Sequence, residues 1–370
     1  MAKNSKQDLR TQVGQLLIMG FDGTEMSPKL RTMISTLQPG GVILFRRNIE
    51  AAQQTFDLLQ ECRRTGGLPL FTCVDLEGGT VDRLRDLVAP APSVADVVAT
   101  GSKKLYRKHG RLLGEESRAF GFNTDFAPVL DLRFKPSLSV LGSRTASENP
   151  KATVKYAREL LRGLKDAGVL GCGKHFPGLG EANLDTHKEL PSIDKPWKRL
   201  WKEDLAPYRE LRKEMPFVMV AHAAYPAVTK DGTPASISKK WISGILRKKI
   251  GYKGLVISDD LEMGGVQKAA SLEDAAFTTI MAGADIFLVC HNEEYVWRSY
   301  EKVLTTAEKD KKFAARVSDC ATRVVAMKKK AKELRWRPKP PTQKVVDKLR
   351  RAVWEFSEEV RLDADAVRNA

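Results

Sequence analysis

Lys174-His175-Phe176-Pro177-Gly178-Leu179-Gly180, followed by Asp185-Thr186-His187, sets a lysine, two imidazoles and a carboxylate within fourteen residues. An imidazole both gives and takes a proton near neutral pH. A carboxylate two residues away can hold one ring nitrogen, fix the tautomer and favour the protonated ring. His187 and Asp185 therefore have the makings of a general acid–base pair, although the same pair also reads as a loop clasp. A second candidate is the carboxylate of Asp259, which ends the apolar run Leu255-Val256-Ile257-Ser258; as a helix N-cap it would have no chemistry at all. Asp75 and Glu77 in VDLEGG, Asp131 at the end of FAPVLD, Arg144 in LGSR and His222 after MVA occupy similar positions. Any one of these reads as a structural hydrogen-bonding residue. Polar groups at so many strand ends together read as the mouth of a site.

Eight short apolar runs carry these residues: 15–19, 41–45, 70–75, 124–131, 170–176, 217–221, 255–259 and 285–290. Most are continuous rather than alternating, as expected of parallel strands buried on both faces. Helical periodicity lies between most of them, at 152–167, 241–249 and 272–281, and is least regular in the first two units. Eight alternations predict an α/β protein built as a (β/α)8 TIM-type barrel, with functional residues at the C-terminal ends of its strands. After the eighth run, Phe313, Val317, Cys320, Val324 and Met327 repeat at helical spacing. A Pro-rich break at 337–341 precedes a further amphipathic pattern through Val345, Val346, Leu349, Val353, Phe356 and Val360. The expected organisation is a catalytic barrel over 1–335 and a basic helical extension over 336–370.

At 370 residues and 42% hydrophobic, the chain can bury one large core. Five scattered cysteines, none spaced as CxxC, read as buried free thiols. The N-terminal residues hold no apolar signal-peptide core and no run is long enough to span a bilayer, so a cytoplasmic protein without membrane partners is expected. Of the net charge of +16, half falls after residue 300, where 19 Lys/Arg face 11 Asp/Glu. A basic tail can signal nucleic acid. Here the cations alternate with apolar residues at helical spacing, so a solvated helix face is expected and a nucleic-acid partner is not. Attraction of an anionic substrate is the functional alternative.

VDLEGG, FAPVLD, KHFPGLG-EANL-DTH, MVAHAAYP with PASIS, and SDDLEMGG occur in that order. Together they resemble the catalytic barrel of glycoside hydrolase family 3, and within it the β-N-acetylglucosaminidases that trim peptidoglycan fragments. The resemblance runs from about Val13 to about Cys290. It implies Asp259 as nucleophile, His187 with Asp185 as the acid/base pair, and Asp75, Arg83, Arg144, Lys174, His175 and His222 as sugar-binding residues. Retaining hydrolysis needs a carboxylate nucleophile and a group that first gives and then takes a proton. Sugar hydroxyls donate and accept, so charges of both signs around one ring suit the remainder. Lys174 and His175 also read as buried ion pairs with a neighbouring strand, Gly78 and Gly79 as a turn or a close approach to ligand. Two positions depart from the family pattern: Leu179 stands where histidine is usual and Thr80 where arginine is.

The reading is therefore a cofactor-free, metal-independent hydrolase removing terminal β-linked N-acetylglucosamine from a small-molecule glycoside. Its rivals are a phosphorylase using the same site, a metal-dependent barrel hydrolase using His175, His187, His222 and Asp259, and a non-catalytic sugar-binding protein. The absence of HxH or HExxH spacing speaks against the metalloenzyme.

Overall fold

The computed structural model describes residues 8–186, 188–337 and 339–369. Among the described residues ten strands are formed: β1 (Leu17–Met19), β2 (Gly41–Ile43), β3 (Phe71–Val74), β4 (Leu76–Gly78), β5 (Val81–Asp82), β6 (Thr124–Asp125), β7 (Leu170–Phe176), β8 (Phe217–Val220), β9 (Leu255–Asp260) and β10 (Ile286–Val289). Eight of them close a parallel barrel in the order β1-β10-β9-β8-β7-β6-β3-β2, and β2 returns to β1. At the closing seam Leu17 lies opposite Phe287 and Met19 opposite Val289. β4 and β5 form a separate antiparallel hairpin on the mouth of the barrel.

The apolar runs are continuous because each strand is covered twice. Ile18, Phe71, Cys73, Cys172, Met219, Ile257 and Leu288 fill the barrel interior. Their neighbours Leu17, Met19, Val74, Phe287 and Val289 pack outward under the helices. All eight expected strands are present: 170–176 keeps its limits, 255–259 extends to Asp260, and the other six are shorter. Gln15, placed in the first run, ends the helix Leu9–Gln15 instead, and its amide donates to the carbonyl of Gln38. The fourth run pairs as a strand only at 124–125. Beyond Asp125 Pro128 has no N–H for the ladder, yet its carbonyl still accepts from Lys174 N at 3.1 Å, so the segment stays beside β7.

The helical patterns at 152–167 and 272–281 form the helices Pro150–Asp166 and Leu272–Ala282. That at 241–249 is wound as a π-helix, Lys240–Lys249. The helix Glu293–Lys309, among those not named from the sequence, follows β10 directly. Asp310 then ends it and starts the next, Lys311–Lys330, by accepting from the N–H groups of Lys312 and Phe313. Lys328 of that helix plugs the lower end of the barrel. It is buried, donates to Gln15 Oε1 at 2.6 Å and lies 5.1 Å from the Phe71 ring centroid. The chain then passes beneath the barrel, where Arg63 donates to the carbonyls of Leu334 and Trp336 and Arg118 stacks on the Trp336 ring. It ends in the helix Gln343–Arg368, which packs against the helices Val94–Ala99 and Lys103–Ala119.

Candidate active site

A cavity of about 300 Å³ opens at the C-terminal ends of the strands. Asp75, Arg83, Arg144, Lys174, His175, Asp185 and Asp259 all stand on its wall. A larger groove of about 930 Å³ lies outside the barrel near the helix Pro150–Asp166, and none of these residues lines it.

The charges form one connected cluster. Lys174, only 2% exposed, projects from β7 onto Asp75 Oδ1 at 2.8 Å and Glu77 Oε1 at 2.7 Å. Arg144 grips Glu77 with two hydrogen bonds, from Nε at 2.8 Å and Nη2 at 2.9 Å, the two-point geometry that fixes a guanidinium against a carboxylate. Arg83 approaches Asp75 Oδ2 at 3.5 Å. Burial alone would raise both carboxyls. Lys174 and Arg83 instead hold Asp75 well below the usual carboxylate range, and Arg144 and Lys174 hold Glu77 at about 2. Against the same burial, Asp75 and Glu77 keep Lys174 protonated, its pKa raised above the ordinary lysine value. Three cations against two anions leave the cluster one positive charge in excess, with donors and acceptors both fixed.

His175 belongs to a second group. Asp131 Oδ2 takes its Nδ1 at 2.7 Å, while Asp131 Oδ1 accepts from Leu179 N at 2.7 Å. A proton on Nδ1 facing that carboxylate makes Nε2 the accepting nitrogen. Lys174 is thus ion-paired, as the structural alternative expected, His175 is hydrogen-bonded to Asp131, and both stand on the cavity wall as well. Leu179 is on the wall too, whereas Thr80 is exposed at the tip of the β4–β5 hairpin and does not line the cavity. At Gly78 a Cβ would meet Pro92 O at 2.5 Å and His109 Nε2 at 2.9 Å, and φ is +81°. That glycine serves the turn and its packing.

The two carboxyls of the SDD segment divide their tasks. Asp259 is half-buried on the cavity wall and accepts from Asp260 N at 2.9 Å. Asp260 accepts from the N–H groups of Glu262 and Cys290 at 3.1 and 3.2 Å, tying the end of β9 to β10. Burial, helped by Glu262 and Asp259, pushes its carboxyl up to about 8. His222, expected among the sugar-binding residues, is fully buried behind the wall. Its Nε2 pairs with Asp260 O at 2.9 Å and its Nδ1 with Ser236 Oγ at 2.7 Å. Through these two bonds it supports the β9 end, and it does not line the cavity.

Asp185 lies in the loop that follows β7, and His187 lies outside the described residues. Thr186 O accepts from Gly265 N at 3.1 Å, resting the loop on the turn after β9. Both ends of the loop meet at Lys195, whose fully buried ammonium contacts Asp204 at 2.6 Å, Glu203 at 2.7 Å and Glu181 at 3.2 Å. Arg199 adds a contact to Glu181 at 2.8 Å. Sequence reasoning placed Glu77 and Asp131 at the mouth without assigning their partners, and it missed Lys195. For the first two a signal was available: buried cations on β7 require anionic partners, and these carboxylates end strands on the same mouth. Among the described residues no group of three or more His, Cys, Asp and Glu is arranged to hold a metal ion.

The profile of the glycosyl hydrolase family 3 N-terminal domain matches residues 8–327. A β-hexosaminidase of Alkalilimnicola ehrlichii is 38% identical over 287 residues, which span 76% of this chain and 82% of that protein. The solved family 3 β-N-acetylglucosaminidase of Paenibacillus sp. superposes with a TM-score of 0.89 at 32% identity, covering 96% of this chain and 69% of that one. NagZ from Neisseria gonorrhoeae, solved with N-trifluoroacetyl-D-glucosamine, superposes with a TM-score of 0.71 at 30% identity, over 84% and 97%.

Proposed function

The chain belongs to glycosyl hydrolase family 3 and is a glycoside hydrolase; from that membership we propose a retaining exo-β-N-acetylglucosaminidase that releases terminal β-linked N-acetylglucosamine from peptidoglycan-derived fragments. The observation that carries the proposal is the gathering of Asp259, Asp185, Lys174, His175, Arg144 and Asp75 around one cavity of about 300 Å³. That volume lies at the lower limit for small-molecule sites, which suits a single terminal sugar with the leaving group outside.

In the first step Asp259 forms a bond to the anomeric carbon while His187, held by Asp185, gives its proton to the departing oxygen. In the second, His187 takes a proton from water as the water oxygen displaces Asp259, restoring both groups and the β configuration. Lys174 and Arg144, locked by Asp75 and Glu77, donate to sugar hydroxyls, and His175 Nε2 accepts. Five buried free cysteines among the described residues suit a reducing compartment, so the proposed location is the cytoplasm. A catalytic unit to about residue 335 with a helical extension beyond is part of the same proposal.

The test compares a chromogenic β-N-acetylglucosaminide with the β-glucoside, each with and without phosphate. A site that pairs the 2-acetamido group leaves polar atoms unmatched by the plain sugar, so kcat/KM should favour the former by at least ~10²-fold. The first-formed product should be the β anomer by early NMR, and Asp259→Ala should abolish turnover. Preference for the glucoside would refute the substrate assignment. Phosphate-dependent turnover would replace hydrolysis with phosphorolysis, and a mechanism-based fluorosugar label on a residue other than Asp259 would remove the nucleophile.

A further inference from the structure

The family match ends at residue 327, yet the helix Gln343–Arg368 packs on the helix Lys103–Ala119, which in turn backs the strand bearing Glu77. The link runs through three side chains. Phe356, fully buried on the inner face of that helix, stacks on the ring of His109 with centroids 5.6 Å apart and planes 25° apart. His109, in the helix Lys103–Ala119, is also fully buried, and its Nδ1 meets Tyr156 Oη at 2.9 Å. Its Nε2 edge abuts Gly78, where a Cβ would lie only 2.9 Å away. The residue before Gly78 is Glu77, the 1%-exposed carboxylate that holds both Arg144 and Lys174.

Packing rather than hydrogen bonding sets the inner edge of this stack, because His109 Nε2 has no hydrogen-bond partner among the described residues. Burial lowers His109 to about 3, so the ring is neutral at physiological pH and an aromatic neighbour suits it. A second tie reaches the same hairpin region, as Arg350 Nε donates to Leu87 O at 3.0 Å, four residues beyond Arg83. Glu359 pairs with Lys108 on the helix that carries His109. Without Phe356 a ring-sized void opens behind His109. The ring can then retreat, and the β4 backbone bearing Glu77 loses its backing.

We infer that the C-terminal helix is a brace for the sugar-binding ion cluster, with Phe356 a positioning residue that acts through His109 and Gly78 on Glu77. The inference rests on the proposal that Arg144 and Lys174 hold the sugar. Both would do so before and during reaction, so a loosened cluster should raise KM more than it lowers kcat.

The experiment compares Phe356→Ala, Phe356→Leu and Leu349→Ala with the unaltered full chain. Leu349 is buried on the same helix face two turns away and serves as the stability control. Both alanine variants should lower Tm, since each empties a buried site. Phe356→Ala should raise KM for the N-acetylglucosaminide about 10-fold with kcat within about 3-fold. Leu349→Ala should leave KM within about 2-fold, and Phe356→Leu, which refills most of the space, should restore it. Amide hydrogen exchange over residues 76–82 should quicken in Phe356→Ala alone, a readout that needs no substrate. If the unaltered chain fails to turn over the N-acetylglucosaminide, the functional proposal falls and exchange still decides the brace. Unchanged exchange at 76–82 in Phe356→Ala, or equal effects of Leu349→Ala on KM and exchange, would overturn it.

Discussion

At the scale of single residues, the neighbours Asp259 and Asp260 show how place separates two identical side chains. Asp260 holds its proton up to about 8 because it is buried beside Glu262 and Asp259, whereas an ordinary aspartate releases it at 3.8. The folded state therefore keeps a proton that the unfolded chain loses. The resulting stability is fully present below the ordinary value and is lost as pH climbs through about 8. Asp260→Asn, permanently neutral and able to keep both accepted N–H bonds, should not share this loss. Thermal melts at pH 5, 6.5 and 8 should show the wild type losing Tm relative to the variant with each step, and a constant difference would contradict the assignment. The acids and bases on the mouth were legible because strand-end polar groups stand out against apolar runs. Their pairings were not. Lys174 meets Asp75 across 99 positions of sequence, a proximity that exists only once the barrel has closed. His222 illustrates the same limit: its strand-end position was legible, but its pairing with Ser236 and the Asp260 carbonyl was not.

At the scale of elements, the loop after β7 is held by its neck. Lys195 draws Glu181 from one end of the loop onto Glu203 and Asp204 beyond the other, over the ring of Phe134 at 4.3 Å. Gly178 lies against this knot, where a Cβ would sit 2.7 Å from that of Asp204. Removing one partner of a buried ion pair costs about 3 kcal/mol or more. Lys195→Met should therefore destabilise the fold and free the loop that carries Asp185. Because that loop bears the proposed acid/base pair and not the sugar-binding charges, kcat should fall by about 10-fold or more with KM little changed. Steady-state kinetics and limited proteolysis between 181 and 195 measure the two effects, and a rise in KM alone would contradict the placement. Among the elements, barrel strands were easy to read because burial on both faces leaves unbroken apolar runs. Their ends were overextended wherever apolar residues continue past the ladder, as beyond Asp125. The helix Glu293–Lys309 repeats Val296, Tyr300, Val303, Leu304 and Ala307 at the helical period, so its signal was present. It lay hidden between charged residues directly after the last strand.

At the scale of the whole molecule, the barrel has a working end and a plugged end. No described helix is long and apolar enough to cross a membrane. The plug Lys328 has its pKa lowered by burial from 10.5 to about 7. For a base the sign is opposite to that of Asp260. Between those values the unfolded chain holds a proton that the folded one lacks, so stability rises with pH across the window and the cost of the charge is fully felt below about 7. Lys328→Met should accordingly stabilise the protein most at pH 6, with the advantage shrinking by pH 9. Urea midpoints at the two pH values measure it, and an advantage that grew with pH would contradict the burial of the amine. The positive tail beyond residue 300 is partly neutralised where it lies. Arg323 pairs with Asp285 at 2.7 Å and Arg361 with Glu358 at 2.8 Å, in keeping with a solvated helical surface.

The proposed brace follows the barrel in chain order, and that order gives biosynthesis a timetable. Domains begin to form from the N-terminus while synthesis continues. A nascent chain that has reached Val289 already contains both strands of the β1–β10 seam and every named acid, base and cation of the mouth. The helix that backs Glu77 does not yet exist at that moment. Barrel closure and grip on the sugar thus become separate events, and a ribosome that stops short of residue 343 would release a closed but slack-handed enzyme. On the brace proposal, completion of the helix Gln343–Arg368 tightens a grip that the closed barrel already has.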